Sequence, residues 1–228
     1  FFATQNLDNF RPVSSDEVWI MSASYKLSAQ GVLGSDLFAG FFSADRHYFI
    51  ALPVSNILQA LSFSLIGASV ASARVVSLLM GVQIIWLGSY LAYRWHGLAA
   101  SMLATGLIVL WRSDLAALYP GLPLLGIARS ARYDVGAVLF AWLAIALLDQ
   151  LIITPRRWIA LAVGICAGLA TLTQFFGAFV VPLIIVGCWW QRRRSAWRDP
   201  VTHWIVVGFA VIIVPYSLTV AANFSDFV

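Results

Sequence analysis

The sequence predicts an all-α polytopic membrane protein, and three observations carry that prediction. Of the 228 residues, 61% are hydrophobic and only 11% charged, where a soluble domain keeps roughly a quarter of its residues charged. The apolar residues fall in blocks long enough to cross a bilayer as helices. Arginines mark the ends of those blocks, the position basic residues take beside membrane spans. A net charge of +4 and a pI near 9.4 do not indicate nucleic acid, because the basic residues flank apolar blocks instead of lining a soluble aromatic face. Cys166 and Cys188 lie inside apolar segments at different depths and read as small buried hydrophobes.

Residues 1–69 read as an extracytoplasmic loop with two juxtamembrane helices, and residues 70–228 as a transmembrane region. Ser14-Ser15-Asp16-Glu17 before Val18-Trp19-Ile20-Met21 is a helix-start signal. Over 52–66, Val54, Ile57, Leu58, Leu61 and Leu65 form one stripe while Ser55, Gln59 and Ser62 line the other side. That stripe and the short length favour a helix lying at the membrane interface, ended by Gly67-Ala68-Ser69. About six spans follow, over 70–93, 98–111, 133–151, 158–173, 175–190 and 203–221. Between the second and third, Pro120, Gly121, Pro123 and Gly126 make Trp111–Arg132 too irregular for a lipid-exposed helix. The chain opens on Phe1-Phe2-Ala3 and stops at Phe227-Val228 just past an apolar block, so a fragment cut at both ends is expected.

Six spans put Arg94, Arg156, Arg157, Arg192, Arg193, Arg194 and Arg198 on one face and Arg11, Lys26, Arg46, Arg74, Arg112, Arg129 and Arg132 on the other. The count is a tie. The first set clusters in short connections, where the positive-inside rule applies, so that face reads as cytoplasmic. The second set shares its face with eight acids, among them Asp16, Glu17 and Asp134. Acids and arginines gathered at an outer membrane boundary suit a phosphate- and hydroxyl-handling site, or equally a solvated loop surface.

Two motifs stand out. Glu17 is the only glutamate in the chain. With Ser14 it forms a capping box, Ser14 as cap and Glu17 bonding back three residues on. Asp16 then has two readings, a first-turn acid favoured by the helix dipole or a general base at the membrane surface. The second motif is Arg129-Ser130-Ala131-Arg132-Tyr133-Asp134, opening the span that starts at Val135. Asp134 near a helix start is dipole-stabilised, and Arg132 and Tyr133 suit the headgroup level. An ionisable residue at a span mouth is also a functional candidate. His47, in Asp45-Arg46-His47-Tyr48, reads as an interfacial loop histidine or a substrate ligand. No closely spaced His, Cys and Glu set has metal-ligand spacing, and no glycine-rich nucleotide-phosphate loop is visible.

Taken in order, these features resemble the dolichyl-phosphate-mannose–protein mannosyltransferase family and its bacterial relatives that transfer aminoarabinose to lipid A, enzymes of GT-C fold. The matching stretches are Asp16-Glu17-Val18-Trp19 with Tyr25-Lys26-Leu27, then Pro53 through Gly67, and Ala71-Ser72-Ala73-Arg74-Val75-Val76-Ser77. Ala131-Arg132-Tyr133-Asp134, Ala170-Thr171-Leu172-Thr173-Gln174 and Pro215-Tyr216 complete the series. The resemblance implies an N-terminal fragment of a GT-C-like glycosyltransferase in the cytoplasmic membrane, working on its extracytoplasmic side. It implies inverting transfer of a sugar from a polyprenyl-phosphate donor to a lipid, glycan or protein hydroxyl. Asp16, Asp134 and Glu17 would be catalytic, with Asp16 as base. Where many members carry Lys-Pro before the amphipathic helix, this chain reads Leu52-Pro53. The phosphate then falls to Arg132, Arg74, Arg46 or Arg129, with His47 as a further substrate contact. A divalent metal ion is left open as cofactor. The alternative class is a transporter or flippase-like protein binding an anionic lipid or solute, although no internal repeat supports it.

Overall fold

The computed structural model describes residues 7–8, 12–49, 52–110, 124–192 and 200–224. These are helical, with no strand among the described residues. In chain order the helices are α1 (Ser15–Gln30), α2 (Pro53–Ile66), α3 (Val70–His96), α4 (Leu98–Leu110), α5 (Leu124–Ala128), α6 (Tyr133–Ile153), α7 (Arg157–Thr173), α8 (Val180–Arg192) and α9 (Pro200–Ala222). The all-α membrane class therefore holds.

Three helices, α3, α6 and α9, are long and apolar enough to cross a membrane by length and composition. The other expected spans appear as shorter apolar helices at Leu98–Leu110, Arg157–Thr173 and Phe175–Trp190. At 1.5 Å per residue, the 17 residues of α7 rise about 26 Å, a little less than a hydrocarbon core of about 30 Å. Of the stretch expected to be irregular, 111–123 lies outside the described residues and 124–128 forms α5.

The chain divides into two compact units, Phe1–Tyr48 with Ser55–Gly136, and Phe49–Val54 with Ala137–Val228. In the first, α1 starts at a complete capping box: Ser14 Oγ accepts from the Glu17 amide and Glu17 accepts from the Ser14 amide. It ends at Gly31, whose φ of 71° is the left-handed geometry that glycine adopts at no steric cost. The loop beyond folds back on α1. Lys26 Nζ bonds the Asp36 carboxylate and, at 2.8 Å, the Asp45 carbonyl, while Trp19 meets Phe38 edge to face.

The sequence separates two sides of α2, with Val54 as an exception, but does not say which side the protein covers. Asn56 and Gln59 are buried, while Ile57 and Leu61 are 52% and 55% exposed. The polar side faces protein: Ser24 of α1 lies 3.0 Å from Gln59 Oε1 and 3.3 Å from Asn56 Oδ1. One hydroxyl proton serves one acceptor, and it also lies 2.8 Å from the Ile20 carbonyl. Turning an amide so that its nitrogen donates to Ser24 Oγ satisfies the set. Of the apolar stripe, Ile57, Leu61 and Leu65 stay exposed, whereas Val54 is buried.

The start of α3 is capped twice. Ser69 and Ser72 exchange bonds in a capping box, and Asp8 accepts the Ala71 amide at 2.9 Å. Further along, Gly81 lets α5 approach, since a Cβ there would lie 2.5 Å from the Ala128 Cβ. That contact fixes the height of the 129–132 turn against α3. In the second unit, Ala144, Leu148 and Leu151 of α6 share a core with Ile159, Ala160 and Val163 of α7. The α7–α9 seam is close because of glycine. A Cβ on Gly164 would sit 2.0 Å from the Ile205 carbonyl, and one on Gly208 2.1 Å from that of Leu161. Small residues four apart give such backbone approach in lipid, where hydrophobicity does not drive helices together.

Candidate active site

Successive residues on a helix point about 100° apart, so two adjacent acids at the start of α1 cannot share a direction. Glu17 turns inward and is 1% exposed. Arg74 of α3, 0% exposed, grips it with two bonds, Nε to Oε1 at 2.8 Å and Nη2 to Oε2 at 3.0 Å. The same carboxylate accepts the Ala131 amide at 2.8 Å and the Ser14 amide at 3.1 Å. Arg74 Nη1 also donates to the Leu7 carbonyl at 2.7 Å. Burial by itself would raise the Glu17 pKa, but the bonds from Arg74, Ala131 and Ser14, together with the Arg74 charge, hold it below its ordinary range.

Asp16 points along the surface and meets the turn that Glu17 pins. Arg132 Nη1 donates to Asp16 Oδ2 at 2.8 Å, while its Nε and Nη2 donate to Asp134 Oδ2 at 3.1 and 2.7 Å. The guanidinium thus bridges the two acids, within reach of solvent: Arg132 is 32% exposed and each carboxylate 39%. Burial opposes its charge, yet Asp134 and Asp16 more than offset that and raise its pKa. The Tyr133 ring centroid lies 5.7 Å from its Cζ, a distance at which the ring face attracts the cation. The Arg132 carbonyl accepts from Ser77 Oγ at 3.0 Å, so the backbone is tied on both sides of the arginine's Cα.

Beside this trio opens a cavity of about 600 Å³ lined by Pro12, Ser14, Glu17, Ile127, Ser130, Arg132 and Asp134. Asp16 borders it through Arg132 instead of lining it. The structure therefore brings together Asp16, Arg132 and Asp134, with Glu17 and Arg74 directly behind. Arg129 is buried at 6% exposure, and burial together with the Arg74 charge lowers its pKa. Arg46 is exposed and His47 half-buried, and neither lines the cavity. Of the four arginines weighed for a phosphate, Arg132 alone lines it. Among the described residues, no group of three or more His, Cys, Asp or Glu could hold a metal ion. The donor set here is two carboxylates, both tied to Arg132.

Sequence reasoning missed the Arg74 partnership and the Ala131 contact. The available signal was the lone glutamate opposite an arginine four residues into a span, an ionisable pair at membrane depth.

No protein-family model matches the chain, and no curated protein matches it. Among solved structures, the chain is similar to ArnT from Cupriavidus metallidurans in the apo state. The likeness covers 99% of this chain and 40% of that one, with a TM-score of 0.68 at 20% sequence identity. At that identity it shows the fold, a GT-C-like helical membrane architecture, over less than half the neighbour's length.

Proposed function

We propose that this chain forms the catalytic end of a membrane glycosyltransferase that moves a sugar from a polyprenyl-phosphate donor to a hydroxyl acceptor on the extracytoplasmic side. The observation that carries this reading is Arg132 bridging Asp16 and Asp134 beside a sugar-sized cavity, within a fold shared with ArnT. In the proposed step the acceptor oxygen attacks the anomeric carbon as Asp16 takes its proton. The new glycosidic C–O bond forms while the bond from the anomeric carbon to the phosphate oxygen breaks. The polyprenyl phosphate leaves with that electron pair, and inversion follows from attack opposite the leaving group.

Arg132 then meets the charge that grows on the leaving phosphate, a task suited to a guanidinium fork. Asp134 orients Arg132 and offers an acceptor for sugar hydroxyls. Ser14 and Ser130 supply further polar groups along the cavity, and Pro12 and Ile127 an apolar wall. Glu17 and Arg74 support the turn from behind. The same reading takes residues 1–69 as the outer loop, and the α4, α7 and α8 region as completing about six spans. Membrane lipids surround the assembly.

The test uses the full-length protein in lipid nanodiscs with a polyprenyl-phosphate-linked sugar. Asp16→Asn should lower turnover by about 10²–10⁴ while thermal unfolding stays near that of the wild type. A folded Asp16→Asn protein with near-normal turnover sinks the assignment.

A further inference from the structure

Arg132 occupies the place between the two acids that the proposed chemistry needs open. Its ion pair to Asp16 ties up the carboxylate that would take a proton. Three of its five N–H donors are engaged among the described residues. The backbone around it is fixed, by Glu17 on the Ala131 amide and by Ser77 on the Arg132 carbonyl. Any response of this residue to a ligand is therefore a side-chain movement. The Tyr133 ring provides a surface against which the guanidinium can turn without losing all of its partners, and the adjoining cavity admits an anion directly to it.

We propose that Arg132 exchanges partners with the donor: without donor it ties Asp16, and the phosphate of an incoming polyprenyl-phosphate sugar draws it off Asp16, leaving that carboxylate free for the acceptor. This rests on the functional reading above and adds an order to it, donor before acceptor. Asp134 keeps the guanidinium in place throughout, because it holds two of the three engaged donors while Asp16 holds one. The exchange lets Asp16 act only when a leaving group is present.

Binding alone tests the exchange. The probe is geranyl phosphate titrated calorimetrically into the full-length protein, with geraniol as blank, across wild type, Asp16→Asn, Arg132→Gln and the double variant. If Arg132 must abandon Asp16, then Asp16→Asn tightens geranyl phosphate binding by about two- to fivefold, the worth of a partly exposed ion pair. In the Arg132→Gln background the same change should tighten binding clearly less. Removing a negative charge helps an anion in any case, so equal tightening in both backgrounds overturns the exchange. Arg132→Met, which removes the charge and keeps a long side chain, replaces Arg132→Gln if that protein does not fold, and it too should lessen the tightening. A wild-type protein that binds no geranyl phosphate overturns the donor reading, and the exchange with it. Binding without the difference overturns the exchange alone.

Discussion

Replacing Glu17 by Gln separates two accounts of the same residue. If Glu17 only closes a capping box, its loss costs on the order of 1 kcal/mol. The structure predicts more. Glu17 is 1% exposed and its partner Arg74 is 0% exposed, so Gln would leave a buried guanidinium facing an amide that cannot neutralise it. Breaking a buried pair by removing one partner costs about 3–5 kcal/mol. In a chain of this size each kcal/mol lowers the melting temperature by about 2–4 °C, which gives a drop of roughly 6–20 °C. The assay is thermal unfolding of the detergent-solubilised full-length protein, followed by size-exclusion fluorescence. Adding Arg74→Met to Glu17→Gln should recover part of the loss, because it removes the stranded charge. The pH dependence has a definite sign. The folded-state pKa of Glu17 is held below its ordinary 4.5, so its contribution is complete above that value and is lost as pH falls through the lower, folded-state value. A Glu17→Gln shift below about 2 °C, or an acid profile unchanged by the substitution, would refute the buried-pair reasoning.

Two further outcomes follow from the packing and the topology. Gly164→Val should cost about 1–3 kcal/mol or separate α7 from α9, because the new Cβ would sit 2.0 Å from the Ile205 carbonyl; proteolysis of the α7–α9 region reports it, and wild-type resistance would contradict the seam. In a protein with Cys166 and Cys188 changed to Ala, Phe41→Cys should react with an impermeant maleimide added outside intact cells and Arg156→Cys should not, the reverse pattern showing the orientation to be inverted.

Much of the fold was legible because lipid imposes a simple rule on composition. Apolar blocks had to be helices, and Ser14 with Glu17 had to start one. The rule fails where protein and lipid are equally apolar. On α2 the 3.6-residue period separated two sides, yet hydrophobicity could not say which side protein covers. The answer was the polar one, since Asn56 and Gln59 meet Ser24 while Ile57 and Leu61 stay exposed. Span lengths suffered similarly, because an apolar run continues through a turn such as Gln174–Phe179, where the helix does not. At the site, Asp16 and Asp134 were legible as candidates from their places at helix starts. The partner of Glu17 was not, because it lies 57 residues away in sequence and only the packing of α1 on α3 brings it near.

The charges of the site support the proposal that a phosphate entering it exchanges partners instead of simply adding. Asp16, Glu17 and Asp134 stand with Arg74, Arg129 and Arg132, three formal negative against three positive charges. Such a set leaves no net charge to be held out of water. Among the described residues it also offers an incoming anion no surplus of positive charge. Glu17 and Arg74 are locked by depth, each having partners on several sides and almost no exposure. Arg129 is buried as well. The adjustable charge is therefore the one that reaches the cavity, and its weaker attachment is the single bond to Asp16. In the proposed exchange a donor phosphate displaces that bond at little cost, since one partly exposed ion pair replaces another. Nη1 swings from Asp16 to the phosphate while Asp134 keeps its two bonds, and the Asp16 carboxylate faces the acceptor without that partner. In the proposed reaction, as the leaving phosphate gains its second charge, Arg132 binds it more strongly than it bound the intact donor, the difference that accelerates a reaction.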